Sequence, residues 1–152
     1  MATVDKTYVD PSALLKLYLH EPESRAMSTW RTRARAPVMV THHGRVELTN
    51  AIALAVYRKL IDERIFQAAM AAVEDDFETG RCLQADIPWR ATFSRAAELS
   101  RRFSPTLGTR TLDILHVASA IELGFRHFLS FDERQLNLAR AAGMRPFTPS
   151  AR

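Results

Sequence analysis

The chain has 152 residues, which is the size of one domain, and we interpret residues 1–152 as a single domain. Hydrophobic residues make up 47% and charged residues 25% of the chain, a composition that suits a packed core and excludes a disordered protein. No run approaches the roughly 20 apolar residues of a membrane helix, so no membrane association is expected. Because Cys82 is the only cysteine, a disulfide scaffold is excluded and a cytoplasmic location is expected.

The formal charge is +4 and the isoelectric point is about 9.7, which suits a polyanionic partner such as RNA. Of the 21 basic residues, 18 are arginine, since lysine occurs only at Lys6, Lys16 and Lys59. Arginine binds phosphate through two parallel hydrogen bonds, which lysine cannot do. The same bias can also come from genome composition, so charge alone does not establish RNA binding.

Short apolar runs alternate with longer segments of helical spacing along the first half of the chain. In order, the pattern predicts a strand over Thr7–Val9, a helix from Pro11, and a helix that opens after Glu21–Glu23 and runs into Arg31–Arg35. A strand over Pro37–Thr41 and helices over Gly44–Leu60 and Arg64–Phe77 follow.

The second half continues the alternation. It predicts a strand over Ala85–Trp89, a helix over Thr92–Phe103 that Ser104–Gly108 breaks, a helix over Thr111–Leu123, a strand over His127–Phe131, a helix over Glu133–Ala142, and a strand over Met144–Thr148. Strands separated by helices require crossover connections. The predicted fold class is therefore α/β with a mainly parallel sheet and helices on both faces.

Four acids follow strands or begin helices in this scheme. Asp10 ends the first strand, and Asp132 comes just after the strand that ends at Phe131. Glu47 and Asp113 lie in the first turns of predicted helices, each between apolar neighbours. Since ligand sites in parallel sheets form at the carboxyl ends of the strands, we expect all four acids at one edge.

Carboxylates gathered in one pocket repel each other unless a cation compensates them. An all-oxygen ligand set suits Mg²⁺ or Mn²⁺, and such an ion can activate water for attack on a phosphodiester. For Glu47 or Asp113 taken singly, a favourable charge at a helix N-terminus explains the position equally well. Because all four acids are expected at the same edge of the sheet, a metal site is the favoured interpretation for the group.

Other motifs are weaker. His42 and His43 lack the spacing of a zinc site. His116 lies one helical turn after Asp113 and is expected to support the pocket, with a packed or hydrogen-bonded role favoured over catalysis. The sequence contains no nucleophile elbow, P-loop or dinucleotide fingerprint, which argues against serine hydrolases, NTPases and dinucleotide enzymes.

The sequence resembles the PIN-domain nucleases, and most closely the VapC-type toxins of bacterial toxin–antitoxin pairs. Four segments carry the resemblance, and they are spread over nearly the whole chain: Tyr8–Tyr18 (YVDPSALLKLY), Arg45–Leu48 (RVEL), Arg110–Ala118 (RTLDILHVA) and Leu129–Asp132 (LSFD). Each segment alone is weak, but together and in this order they are specific.

The resemblance implies a three-layer α/β/α fold and an endoribonuclease that cleaves tRNA or ribosomal RNA. It implies that Asp10, Glu47, Asp113 and, less directly, Asp132 hold Mg²⁺ or Mn²⁺. It further implies a homodimer and inhibition by a cognate small antitoxin.

Two hydroxyl residues, Ser12 and Ser130, match positions near the metal pocket of this family. Pro11 departs from the more usual Thr or Ser after the first acid, which puts the local geometry beside Asp10 in doubt. The alternative to the enzyme is a PIN-like module that no longer cleaves and acts by binding RNA or a protein. The presence of all four acids favours the enzyme.

Overall fold

Five short strands pair in parallel within residues 7–151, the part of the chain that the computed structural model describes. They are β1 (Thr7–Val9), β2 (Val38–Thr41), β3 (Cys82–Ala85), β4 (His127–Leu129) and β5 (Arg145–Phe147). The pairs are β1 with β4, β4 with β5, and β2 with β3. The predicted α/β class with parallel strands is confirmed.

Seven α-helices connect these strands in the same range. They are α1 (Pro11–Leu14), α2 (Ser24–Ala34), α3 (His42–Tyr57), α4 (Glu63–Glu78), α5 (Trp89–Leu107), α6 (Thr111–Glu122) and α7 (Glu133–Ala141). A 3-10 turn, Leu15–Leu17, follows α1 directly. None of the described helices is long and apolar enough to span a bilayer.

The described residues form two compact units. The first comprises residues 7–10 and 86–148 and contains the sheet β1–β4–β5 with α5, α6 and α7. The second comprises residues 11–85 and 149–151 and contains β2 and β3 with α1 to α4. The single domain over residues 1–152 stays a prediction, and both of its end residues lie outside the described part.

The core of the first unit forms where α6 and α7 cover the sheet. Tyr8 of β1 stacks on Phe128 of β4, with ring centroids 5.4 Å apart. Both side chains are buried, together with small and branched residues that allow the helices to approach closely: Leu99, Ile114, Val117, Ala118, Ala120, Leu138, Ala139 and Met144. This packing determines the direction in which the ends of β1 and β4 and the start of α6 point.

In the second unit, Thr41 ends β2 and caps α3. Its hydroxyl oxygen accepts a hydrogen bond from the Gly44 amide at 3.0 Å, which satisfies one of the free donors of the first turn. The helix therefore begins at His42, two residues before the start at Gly44 that the pattern predicted. Leu48 and Ile52 on α3 are buried in this unit.

The predictions between residues 82 and 108 were displaced. The strand lies at Cys82–Ala85 and not at Ala85–Trp89, and Trp89 already begins α5. Pro105 lies inside the last turn of α5, which continues to a left-handed Gly108. A proline there removes only one hydrogen bond near a helix end where several carbonyls already lack partners within the helix.

Candidate active site

Asp10 and Ser130 leave the sheet side by side. Their strands are parallel, with Val9 opposite Leu129, and the Asp10 amide donates to the Leu129 carbonyl oxygen at 3.0 Å. The Ser130 hydroxyl donates to Oδ2 of Asp10 at 2.9 Å. Asp10 is only 5% exposed and Ser130 is fully buried. The first acid is therefore held in a defined orientation by the neighbouring strand.

Asp132 joins the same network through the backbone. Its amide donates to the Ser130 hydroxyl oxygen at 3.0 Å, while its Oδ1 accepts from the Arg134 amide at 2.9 Å and caps α7. One buried hydroxyl thus links the segment that carries Asp132 to the carboxylate of Asp10. The side chain of Asp132 is about one-third exposed, at 35%, so it remains accessible from solvent.

Asp113 lies in the first turn of α6 and pairs with Arg110, the residue just before the helix. Arg110 Nε donates to Oδ2 of Asp113 at 3.0 Å, and Nη2 is 3.4 Å from Oδ1. The same Nη2 is 3.7 Å from Oδ2 of Asp132. Asp113 is buried, but the Arg110 side chain is 65% exposed. One guanidinium therefore bridges two of the predicted site acids.

The negative charge of Asp10 also contributes to the raised pKa of Arg110. The hydrogen bond from Arg110 to Asp113 is the main cause that raises the pKa of Arg110 above its usual value, and the charges of Asp113, Asp132 and Asp10 raise it further. The structure thus places Arg110 against Asp113 and Asp132, and Ser130 links Asp132 to the carboxylate of Asp10. That these acids together form the site stays a prediction.

His116 points into the core of the first unit. It is buried, and its Nδ1 is hydrogen-bonded to the Tyr8 hydroxyl at 2.6 Å. Tyr8 in turn stacks on Phe128. His116 therefore ties α6 to β1, the two elements that carry Asp113 and Asp10.

Glu47 and Ser12 belong to the second unit. Glu47 is half-buried on α3, between the exposed Val46 and the buried Leu48, and Ser12 is exposed on α1. That these two residues complete the site with the three aspartates stays a prediction.

No role was predicted for Arg110, although it begins the segment Arg110–Ala118 that carries the family resemblance. Its spacing of three residues from Asp113 was the available signal, since such pairs are neighbours on a helix. A cation at a helix N-terminus is also unfavourable against the helix dipole. A nearby acid can offset this unfavourable interaction, so Arg110 pointed to an acidic neighbour such as Asp113.

The donor atoms of Asp10, Asp113 and Asp132 are all carboxylate oxygens, the ligands that Mg²⁺ and Mn²⁺ prefer. That one side-chain cation already contacts two of these acids shows that the cluster attracts positive charge. Within residues 7–151, no three His, Cys, Asp or Glu side chains form a ready group that could hold a metal ion. The donor chemistry therefore fits a divalent cation, while the guanidinium of Arg110 lies against Asp113 and Asp132.

Comparison with known proteins agrees with this geometry. The PIN domain family matches residues 7–141, and the chain belongs to this family. The chain is 31% identical over 146 residues to ribonuclease VapC46 from Mycobacterium tuberculosis (strain ATCC 25618 / H37Rv), covering 94% of this chain and 97% of that protein. It is accordingly a VapC-type member of the family, as its motifs indicated.

A solved structure shows the same fold. The crystal structure of FitAcB from Neisseria gonorrhoeae matches with a TM-score of 0.61 at 17% identity, over 93% of this chain and 96% of that one. At this level of identity the similarity concerns the fold alone.

Proposed function

We propose that this protein is a divalent-metal-dependent endoribonuclease in which Asp10, Glu47, Asp113 and Asp132 hold Mg²⁺ or Mn²⁺. The observation that carries the proposal is the contact of one guanidinium with Asp113 and Asp132, while Ser130 links Asp132 to the carboxylate of Asp10. Buried carboxylates without a compensating cation are costly. A divalent cation would compensate these acids more fully than the exposed Arg110 does.

RNA is the proposed substrate for two reasons. The relative with 31% identity over most of the chain is named a ribonuclease, and the chain carries a net charge of +4. Acids that bind a metal and a basic exterior that attracts phosphate are compatible, because the first acts at short range and the second along the whole backbone of the nucleic acid.

The bound ion would activate water and neutralise the charge that builds on the phosphodiester. The chain's own residues have separate tasks. Ser130 holds Oδ2 of Asp10 and so orients this carboxylate. The rigid start of α6 presents Asp113. Burial of Asp10 and Asp113 limits competition from bulk water.

The biological setting follows from the VapC-type membership. We propose that the protein is a toxin, that its target is tRNA or ribosomal RNA, that it acts as a homodimer in the cytoplasm, and that a small cognate antitoxin inhibits it. Growth arrest on induction of the wild-type gene, with normal growth of a strain that expresses Asp10→Asn to the same level, tests the toxin role.

The direct test is cleavage of total RNA by the purified protein. We expect fragments with Mg²⁺ or Mn²⁺, none in excess EDTA, and recovery when the metal is restored. Asp10→Asn, purified in parallel, controls for contaminating nucleases. Full cleavage in EDTA contradicts the metal mechanism. Binding of RNA without cleavage under every metal condition identifies the non-cleaving PIN-like module instead.

A further inference from the structure

Arg110 is placed differently from the acids that it contacts. Its side chain is 65% exposed, whereas that of Asp113 is 9% exposed. Asp113 is fixed within the first turn of α6, and Asp132 is fixed by its capping bond to α7. If a new cation arrives, the long exposed side chain can move into solvent at little cost, while the acids cannot.

Arg110 also has no task in starting the helix. It occupies the N-cap position of α6, but its side chain makes no capping hydrogen bond. Its guanidinium instead faces the dipole end that repels cations. The contacts with Asp113 and Asp132 are therefore the only described side-chain hydrogen bonds and ion pairs that hold it there.

From this geometry we propose that Arg110 is a displaceable internal counter-ion: it neutralises Asp113 and Asp132 when no metal is bound, and a divalent cation must displace it to bind. The inference rests on the proposed metal-dependent function. The guanidinium lies against carboxylate oxygens that a divalent cation would use as ligands. Arg110 therefore lowers the affinity of the protein for a divalent cation.

The test is the affinity for Mn²⁺, measured by titration calorimetry on the full-length protein without RNA. Arg110→Gln removes the competing charge and keeps a polar side chain at an exposed position, so the fold is retained. We expect it to bind Mn²⁺ more tightly than the wild type, by roughly three- to ten-fold, because two partly exposed ion pairs of modest strength are lost.

Two variants make the comparison specific. Arg110→Lys keeps the charge but cannot bridge two carboxylates in the same way, and its affinity should lie nearer to the wild type than to Arg110→Gln. Arg95→Gln removes the ion pair of Arg95 with Glu122 at the other end of α6. It should leave Mn²⁺ affinity unchanged.

Thermal unfolding gives a second measurement. Without metal, Arg110→Gln should unfold at a lower temperature than the wild type because its acids are less compensated, and Mn²⁺ should raise its melting temperature by more. Equal or weaker Mn²⁺ binding by Arg110→Gln, with normal binding by the wild type, overturns the inference. Failure of the wild type to bind Mn²⁺ at all overturns the metal-dependent function itself, so the two failures are distinguishable.

Discussion

The hydroxyl of Ser130 donates a hydrogen bond to Oδ2 of Asp10 at 2.9 Å, between residues 120 positions apart in the chain. The hydroxyl oxygen of Ser130 also accepts a hydrogen bond from the amide of Asp132. A single buried atom therefore sets the orientation of one acid and the backbone position of another. Residues that orient ligands in this way commonly affect metal affinity and activity as strongly as some ligands do.

Ser130→Ala should lower RNA cleavage by roughly 10- to 100-fold, the range for removal of a group that orients a metal ligand. It should also reduce the free energy of unfolding by about 1–2 kcal/mol, because the Asp132 amide loses its partner. Cleavage assays and urea unfolding measure the two effects. Ser104→Ala, which removes a hydrogen bond to Thr109, is the control. If both variants cleave RNA alike, Ser130 has no role in the site.

Asp10→Asn should abolish cleavage while the melting temperature without metal stays equal or rises. The amide has the same size, its oxygen can still accept from Ser130, and repulsion from the other acids disappears. Differential scanning calorimetry with and without Mn²⁺ checks this, and the stabilisation by Mn²⁺ should be lost. A large drop in the melting temperature without metal would show that Asp10 is needed for the fold.

Glu47→Gln tests whether α3 contributes to the site. We expect cleavage to fall at least as far as in Ser130→Ala, with unchanged circular dichroism, because a half-buried glutamine keeps the packing and loses only the charge. Glu74→Gln, which weakens an exposed ion pair with Arg45, is the matched control on α4. Normal cleavage by Glu47→Gln would remove this residue from the proposed ligand set.

Gly44→Ala should destabilise the second unit. An added Cβ would lie 2.9 Å from Oγ1 of Thr41, and that oxygen is the acceptor that caps α3. Loss of a capping hydrogen bond typically costs about 1 kcal/mol. The melting temperature measures the effect, and Thr41→Ser, which keeps the hydroxyl, should be much milder. Equal stability of Gly44→Ala and the wild type would mean that the cap adjusts without cost.

Cys82 should resist alkylation in the native protein at pH 8.5 and react after unfolding in urea. Burial raises the pKa of its thiol, and only the thiolate is reactive. Because folding raises this pKa, the buried neutral thiol contributes fully to the free energy of unfolding below the unfolded pKa of about 8.5. This contribution is lost as the pH rises through the higher folded pKa. Time courses with iodoacetamide, read by mass spectrometry, test this. Native reaction at the unfolded rate would contradict the burial.

The positions of the acids at the ends of the strands were predictable because they depend only on the order of neighbouring residues along the chain. A parallel strand that ends at Val9 must release Asp10 at its carboxyl end, and the same holds for Asp132 after β4. Thr111 to Glu122 has strong helical spacing, so the place of Asp113 in a first turn also followed. The limits of α5 did not, because Trp89 was assigned to a strand and Pro105 suggests a break, although the last turn of the helix tolerates this proline.

The sequence by itself determined the α/β class, the family, and the places of Asp10, Asp113 and Asp132 after strands or in the first turn of a helix, because hydrophobic period and residue order are local properties. Only the tertiary structure decided the partners of these acids. The bond from Ser130 to Asp10 depends on the pairing of β1 with β4, and the bridge from Arg110 to Asp132 depends on how α6 and α7 pack. Such contacts join residues far apart in the chain, so the free energy that selects them comes from packing and not from local pattern.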